Sequence, residues 1–221
     1  MIVLQEISKK FSSGKSKTDA LINVNIKIKE GEFVAITGPS GSGKTTLLNI
    51  IGGLDSPTKG KVFINDFDLK HMDDDELSRY RNKEIGFIFQ EFYLEPFLSV
   101  RKNILLPTLF DGHTHNVEVY ADELLKEVKL TKKSNAKAKE LSGGEKQRTA
   151  IARALINKPK IIIADEPTGN LDQDTGEAII NLLKNLQKTH GITLVIATHD
   201  KEIARLAERI IHIEDGVIKR H

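Results

Sequence analysis

The sequence predicts an α/β fold: a core built on a mainly parallel sheet, with an antiparallel β portion near the N-terminus and an inserted helical subdomain. Three observations predict it. Short apolar, β-branched runs recur at Phe33 to Thr37, Ile85 to Phe89, Ile161 to Glu166 and Thr193 to Thr198, and strands buried on both faces read this way. Helical patterns separate several of these runs. Residues 20–29 alternate instead, with Ile22, Val24, Ile26 and Ile28 on one face and Asn23, Asn25, Lys27 and Lys29 on the other, which reads as a half-exposed antiparallel strand.

The chain of 221 residues is long enough to bury a sizeable core as one large domain, or as a domain with an inserted subdomain. A net charge of +2 gives no reason to expect nucleic acid, and the absence of cysteine excludes a disulfide framework and a cysteine-ligated metal. The start, Met1 to Glu6, lacks the basic and apolar regions of a secretory signal. No run reaches the ~18 apolar residues of a membrane span. A cytoplasmic location is therefore expected, unless a partner holds the protein at a membrane. With His221 closing the chain soon after the last strand, no regulatory domain is expected to follow.

Taken in order, residues 1–7 read as a first strand. Phe11 follows in the polar stretch Lys9 to Gly14, read as a loop, where an aromatic either caps the core or offers a stacking platform; the residues alone favour the cap. After the alternating strand and the run at 33–37, Thr46 to Ile51 reads as the first turns of a helix. A turn at Asp55 to Gly60 leads to a strand at Lys61 to Ile64, with Pro57 and Gly60 as turn formers. Asp73 to Glu76 suits a helix N-terminus electrostatically. The strand at 85–89 ends on Gln90. From residue 91 to residue 158 helical patterns dominate, so these residues are expected to form the inserted subdomain between core portions 1–90 and 159–221. Within it, 119–128 is amphipathic and 142–157 is a further helix. Lys126, Lys129, Lys132, Lys133, Lys137 and Lys139 read as a solvated face rather than a membrane-touching one. A helix at 172–188, a strand ending at His199-Asp200, a short helix, and a hairpin turning at Glu214 to Gly216 complete the chain.

The chemistry centres on Gly38-Pro39-Ser40-Gly41-Ser42-Gly43-Lys44-Thr45, which matches G-x-x-x-x-G-K-[ST], a phosphate-cradling P-loop, here with a strand before it and a helix after it. Glycines let the backbone approach phosphate oxygens closely, and the amides and helix N-terminus aim positive charge at them. Lys44 is expected to reach the β- and γ-phosphates and Thr45 to ligate Mg²⁺, with Thr46 next to it. Asp165, at the end of an apolar strand, suits a second Mg²⁺ contact. Its neighbour Glu166 suits a general base for the water attacking the γ-phosphorus. Gln90 suits either Mg²⁺ or that water, and His199 a hydrogen bond to the γ-phosphate. Ser142-Gly143-Gly144-Glu145 fits the helix capping box S-x-x-E, and its two glycines open a second phosphate site at a helix N-terminus. One nucleotide cannot easily occupy both sites of one subunit. Two copies facing head-to-tail would each close the other's nucleotide.

In this order, Gly38 to Thr45, Gln90, Leu141 to Glu145, Asp165-Glu166 and His199 resemble the ATP-binding-cassette nucleotide-binding domain over essentially the whole chain. The resemblance implies a P-loop NTPase core and an ATPase. It also implies that Ser142 and Gly144 touch the γ-phosphate of the opposite protomer, and that Asn170-Leu171-Asp172 couples the two sites. Phe11 matches the family's adenine-stacking aromatic, more often tyrosine, which reverses the preference for a cap. Glu145 stands where glutamine is usual. A carboxylate aimed at phosphate would repel it, so Glu145 is expected to turn back into the capping box. Gly53 to Gly60, Asp73 to Leu77 and Asp165 to Asp172 resemble the lipoprotein-releasing, macrolide-export and cell-division branch. That implies a homodimer on the inner face of the cell membrane, beneath a separate permease-type subunit. The alternative is a soluble cassette ATPase of DNA repair or translation. Repair relatives carry a long coiled coil, for which no sustained heptads are present here, and translation relatives usually carry two cassettes.

Overall fold

The structure is a computed structural model describing residues 1–13, 16–65, 67–110 and 116–219. Gly14 of the expected loop and the terminal His221 lie outside the described residues. In chain order the elements are β1 (Ile2–Ser13), β2 (Ser16–Ile28), β3 (Phe33–Thr37), α1 (Lys44–Ile51), β4 (Lys59–Ile64), β5 (Phe67–Asp68), α2 (Asp74–Glu84), β6 (Ile85–Ile88), α3 (Val100–Leu105), α4 (Val117–Glu127), α5 (Gly143–Leu155), β7 (Ile161–Asp165), α6 (Gln173–His190), β8 (Thr193–Ala197), α7 (Lys201–Arg205), β9 (Arg209–Glu214) and β10 (Val217–Lys219). Two compact units result, one of residues 1–78 with 193–221 and one of residues 79–192.

In the first unit β1 pairs antiparallel with β2 and with β4, and β4 with β5. This is the expected antiparallel portion. β3 pairs parallel with β8 and with β9, and β10 returns antiparallel on β9. Phe33, Val34, Ala35 and Ile36 are buried, as is every residue of β8, so these two strands have the continuous apolar character that burial on both faces demands.

Two expectations about the N-terminal strands are corrected. Ile22 does not share the buried face of β2: it is 45% exposed, and Leu21 is buried in its place beside Val24, Ile26 and Ile28. The register steps from Ile7↔Val24 to Lys9↔Leu21, so β2 carries one extra residue there, and Asn23 adopts φ 49. This is a bulge, which shifts the inward set by one position. Phe11 lies in a strand rather than a polar loop. β1 runs on to Ser13, with Phe11 opposite Thr18, and the ring is 46% exposed, so it caps no core.

In the second unit β6 and β7 pair in parallel, Ile85↔Ile161 to Ile88↔Ala164. The acidic start of α2, which belongs to the first unit, is a reciprocal cap: Asp73 Oδ1 accepts from Glu76 N at 2.8 Å and Glu76 Oε2 from Asp73 N at 3.0 Å. The helices α3, α4 and α5 pack around Val100, Ile104, Leu124, Leu125, Ala150 and Ile151, all buried. All six lysines from Lys126 to Lys139 are exposed. Among the described residues no helix is long and apolar enough to cross a membrane.

Candidate active site

The P-loop leaves the carboxyl end of β3 and is shaped by contacts distant in sequence. Gly38 has φ 152, and a Cβ there would lie 2.0 Å from the Ile213 carbonyl oxygen of β9. Gly43 has φ 104, and a Cβ would meet the Ala20 carbonyl oxygen at 2.4 Å. Both positions therefore need glycine for conformation and for space. The β9–β10 turn holds the loop from the other side, since Gly216 N donates to Ser42 O at 3.0 Å and Ile22 N to Gly216 O at 2.9 Å. Sequence reasoning missed this support, because a hairpin at the end of the chain gives no local sign of what it packs against.

Lys44 is 8% exposed, and its Nζ donates to the carbonyls of Gly38 and Pro39, each at 2.9 Å. An ammonium has three donors, so one remains for a ligand. Ser42 Oγ is buried and makes no hydrogen bond within the loop. Thr45 is exposed on the first turn of α1 and Thr46 half-buried. Pro39, Ser40 and Gly41 form the loop's crest, with Ser42 N donating to Pro39 O at 3.2 Å. His199 belongs to the same unit and the same strand ends. It follows β8, whose register with β3 continues as Thr198 N donates to Ile36 O at 3.0 Å. Asp200 caps α7 by accepting from Glu202 N, which leaves His199 exposed between strand and helix.

The second unit assembles the other predicted residues. Gln90 lies two positions past β6, and Asp165 is the last residue of β7, β6's parallel partner. Gln90 lies against the loop after Asp165: a Cβ on Gly169 would sit 2.9 Å from Gln90 Nε2, and Asn170 Nδ2 donates to Gln90 O at 3.0 Å. Glu166 adopts φ 46, a left-handed backbone for a non-glycine residue, of the kind concentrated at functional sites. The loop stays fixed because Gly169 N donates to Glu166 O at 3.0 Å, and because buried Gln147 donates from Nε2 to Pro167 O at 2.7 Å. Neither the Glu166 backbone nor the role of Gln147 leaves a mark in sequence pattern.

Ser142 is the N-cap of α5, and the capping box is closed in both directions. Its Oγ accepts from Glu145 N at 3.3 Å, and Glu145 Oε2 accepts from Ser142 N at 3.0 Å. Glu145 thus turns back into the helix end, as expected, with Lys133 Nζ at 3.6 Å from its other oxygen. The hydrogen bond from Ser142 N holds its carboxyl below the ordinary value, and Lys133 adds to this against partial burial. Gly143 lies against Leu171, and Gly144 against Thr175, whose amide donates to Asp172 Oδ1 at 2.9 Å. That bond caps α6 and lowers the Asp172 carboxyl. The start of α5 and residues 170–175 are therefore brought together.

Because the folded state depresses the Glu145 pKa, its contribution is present above the unfolded-state value, about 4.3, and is lost as pH falls through the folded one. Glu145→Gln preserves a capping box and has no carboxyl to protonate. The parent should have the higher urea midpoint at pH 7, and the gap should narrow below about pH 4 as the parent loses the carboxylate's contribution. A gap constant over this range would contradict the assignment.

A family model described as ABC transporter matches residues 21–169. The chain is 50% identical to the ABC transporter ATP-binding protein MJ0796 of Methanocaldococcus jannaschii, an alignment covering 100% of this chain and 96% of that protein. A solved structure of MJ0796, dimeric, in a post-hydrolysis state and bound to ADP and Pi, superposes with a TM-score of 0.91 at 48% identity, over 100% of this chain and 97% of that one. The lipoprotein-releasing system ATP-binding protein LolD of Syntrophotalea carbinolica is 44% identical, over 99% of this chain and 96% of that protein. The macrolide export ATP-binding/permease protein MacB of Bdellovibrio bacteriovorus is 45% identical over 99% of this chain, which spans only 33% of that protein. The strand–loop–helix of the P-loop, the strand-end carboxylates and these relatives agree: the chain belongs to the ABC transporter family and is one of its ATPase cassettes.

Proposed function

We propose that the chain is the ATP-hydrolysing subunit of a membrane complex, in which two copies close head-to-tail on two ATP molecules. The observation that carries this reading is the presence of two glycine-bearing helix starts on one chain, the P-loop into α1 and Ser142-Gly143-Gly144 into α5, a geometry suited to anions. In the closed pair, Gly38 to Thr46 of one copy hold the phosphates, and Ser142, Gly143 and Gly144 of the other hydrogen-bond the γ-phosphate. Closure is then favoured only while that phosphate remains attached. Glu166 accepts a proton from the attacking water, Gln90 orients that water, His199 donates to the γ-phosphate, and Phe11 stacks on the base. Asn170, Leu171 and Asp172 link the two sites as the loop leading into α6, which Asp172 caps.

Mg²⁺ fits the donors available. Thr45, Gln90 and Asp165 each offer an oxygen donor. Such a set suits a cation that takes few protein ligands and completes its shell with phosphate and water. When bound, Mg²⁺ would neutralise charge on the β- and γ-phosphates.

Residues 91–158 serve as the helical subdomain carrying Leu141 to Glu145, and residues 1–90 with 159–221 as the catalytic core. The name of MacB, an ATP-binding/permease protein, supports a permease-type membrane partner, which would hold the protein on the inner face of the cell membrane. The test is to purify Glu166→Gln from native membranes in ATP. A membrane-spanning protein should come with it. Ribosomes or nucleic acid with no membrane protein would overturn the proposal while leaving the ATPase intact.

A further inference from the structure

Lys9 and Asp55 form a close, largely sheltered charged contact. Lys9 Nζ lies 2.5 Å from Asp55 Oδ1 and 2.8 Å from the Ser56 carbonyl oxygen, and only 13% of its side chain is exposed. The same ammonium stands 5.0 Å from the centroid of the Phe11 ring, within cation–π range. Residues 9 and 11 lie two apart on β1 and so share a face.

Asp55 itself is fixed by the P-loop helix. Past the end of α1, Leu54 N and Asp55 N both donate to Asn49 O, at 2.8 and 3.2 Å. The turn is then stitched to β1, since Thr58 N donates to Ser8 O at 2.8 Å and Lys10 N to Thr58 Oγ1 at 3.0 Å. A chain of contacts therefore runs from Lys44 at the start of α1, along the helix, through Asp55 and Lys9, to the ring of Phe11.

We propose that Lys9, clamped by Asp55 and Ser56, is a positioning residue for the nucleobase. It holds one face of Phe11 and so fixes the stacking platform at a set distance from the phosphate loop. This rests on the reading of Phe11 as the base platform. The ligand class is a purine nucleoside triphosphate, whose base stacks on the part of the ring left open. A cation against one face also withdraws π density, which favours stacking of an electron-rich purine.

The test compares binding of ATP with binding of inorganic tripolyphosphate, which has the phosphates and no base. Calorimetry is run on the parent, Phe11→Ala, Lys9→Met, Lys9→Arg, Asp55→Asn and the double variant Phe11→Ala/Lys9→Met. Phe11→Ala should weaken ATP about ten-fold and leave tripolyphosphate unchanged. Lys9→Met and Asp55→Asn should weaken ATP about three-fold, again sparing tripolyphosphate, and Lys9→Arg should restore the parent value. In the double variant, losing Lys9 should add nothing to the loss of Phe11. Retained tripolyphosphate binding shows that each variant keeps a folded P-loop. If Phe11→Ala leaves ATP binding unchanged, the platform reading fails. If Phe11→Ala behaves as expected but Lys9→Met spares ATP, weakens both ligands equally or adds fully to Phe11→Ala, the positioning role is overturned and the platform stands.

Discussion

Replacing Glu166 with Gln should lower ATP turnover by about 10²- to 10⁴-fold, the usual worth of a general base, while leaving ATP binding intact. Glu166 follows the last residue of β7 on a left-handed backbone, φ 46, so its side chain leaves the chain in a direction that ordinary strand continuation would not allow. Its loop is held at Glu166 O by Gly169 N and at Pro167 O by Gln147. Gln keeps the size of the side chain and these backbone contacts and removes only the ability to take a proton. In the proposed closed pair the phosphate contacts belong to other residues, Gly38 to Thr46, Ser142 to Gly144 and His199. Single-turnover hydrolysis alongside equilibrium nucleotide binding checks the split. Turnover within ten-fold of the parent would remove Glu166 from the base role.

Lys44→Ala should cost at least about 100-fold in ATP affinity, from the loss of charge-assisted hydrogen bonds to phosphate, and should abolish measurable turnover. The ammonium is nearly buried, with two of its donors on Gly38 O and Pro39 O at 2.9 Å. It therefore has a dual part: it ties the loop's entrance to its helix and presents a positive charge inside the cradle. Alanine removes both. The hydrogen bonds from Gly216 N to Ser42 O and from Ser42 N to Pro39 O persist, so the protein should still fold. Titration with a fluorescent ATP analogue separates lost binding from lost folding. Full turnover in this variant would refute the P-loop assignment.

What could be read from sequence was local. The apolar runs of β3, β7 and β8 and the S-x-x-E capping box each lie within a few residues, and each took the expected form. Glu145 turned inward because both partners of its hydrogen bonds lie within one helical turn. What escaped was non-local or depended on single backbone angles. Alternation placed Ile22 inside, but one extra residue at the Asn23 bulge reversed it. Polar neighbours suggested a loop around Phe11, yet pairing with residue 18 continued the strand. The stop that makes Gly38 obligatory is a carbonyl at residue 213, and nothing near Gly38 in sequence announces it. At the candidate site the residue types were legible because strand-end carboxylates, amide and imidazole follow apolar runs. The supports were not: Gln147 under Pro167, Gly216 on Ser42, and Lys9 beside Phe11.

The most direct test of the head-to-tail pair uses the absence of native cysteine. Two Glu166→Gln protomers of different size are mixed, one carrying Ser40→Cys and the other Ser142→Cys, and oxidised with and without ATP. Because each chain holds one thiol, every disulfide formed must join two chains. A 40-to-142 crosslink that forms with ATP and is absent without it is the predicted result. Crosslinks of 142 to 142, or none at saturating ATP, would contradict a pair in which each copy's α5 closes the other's nucleotide.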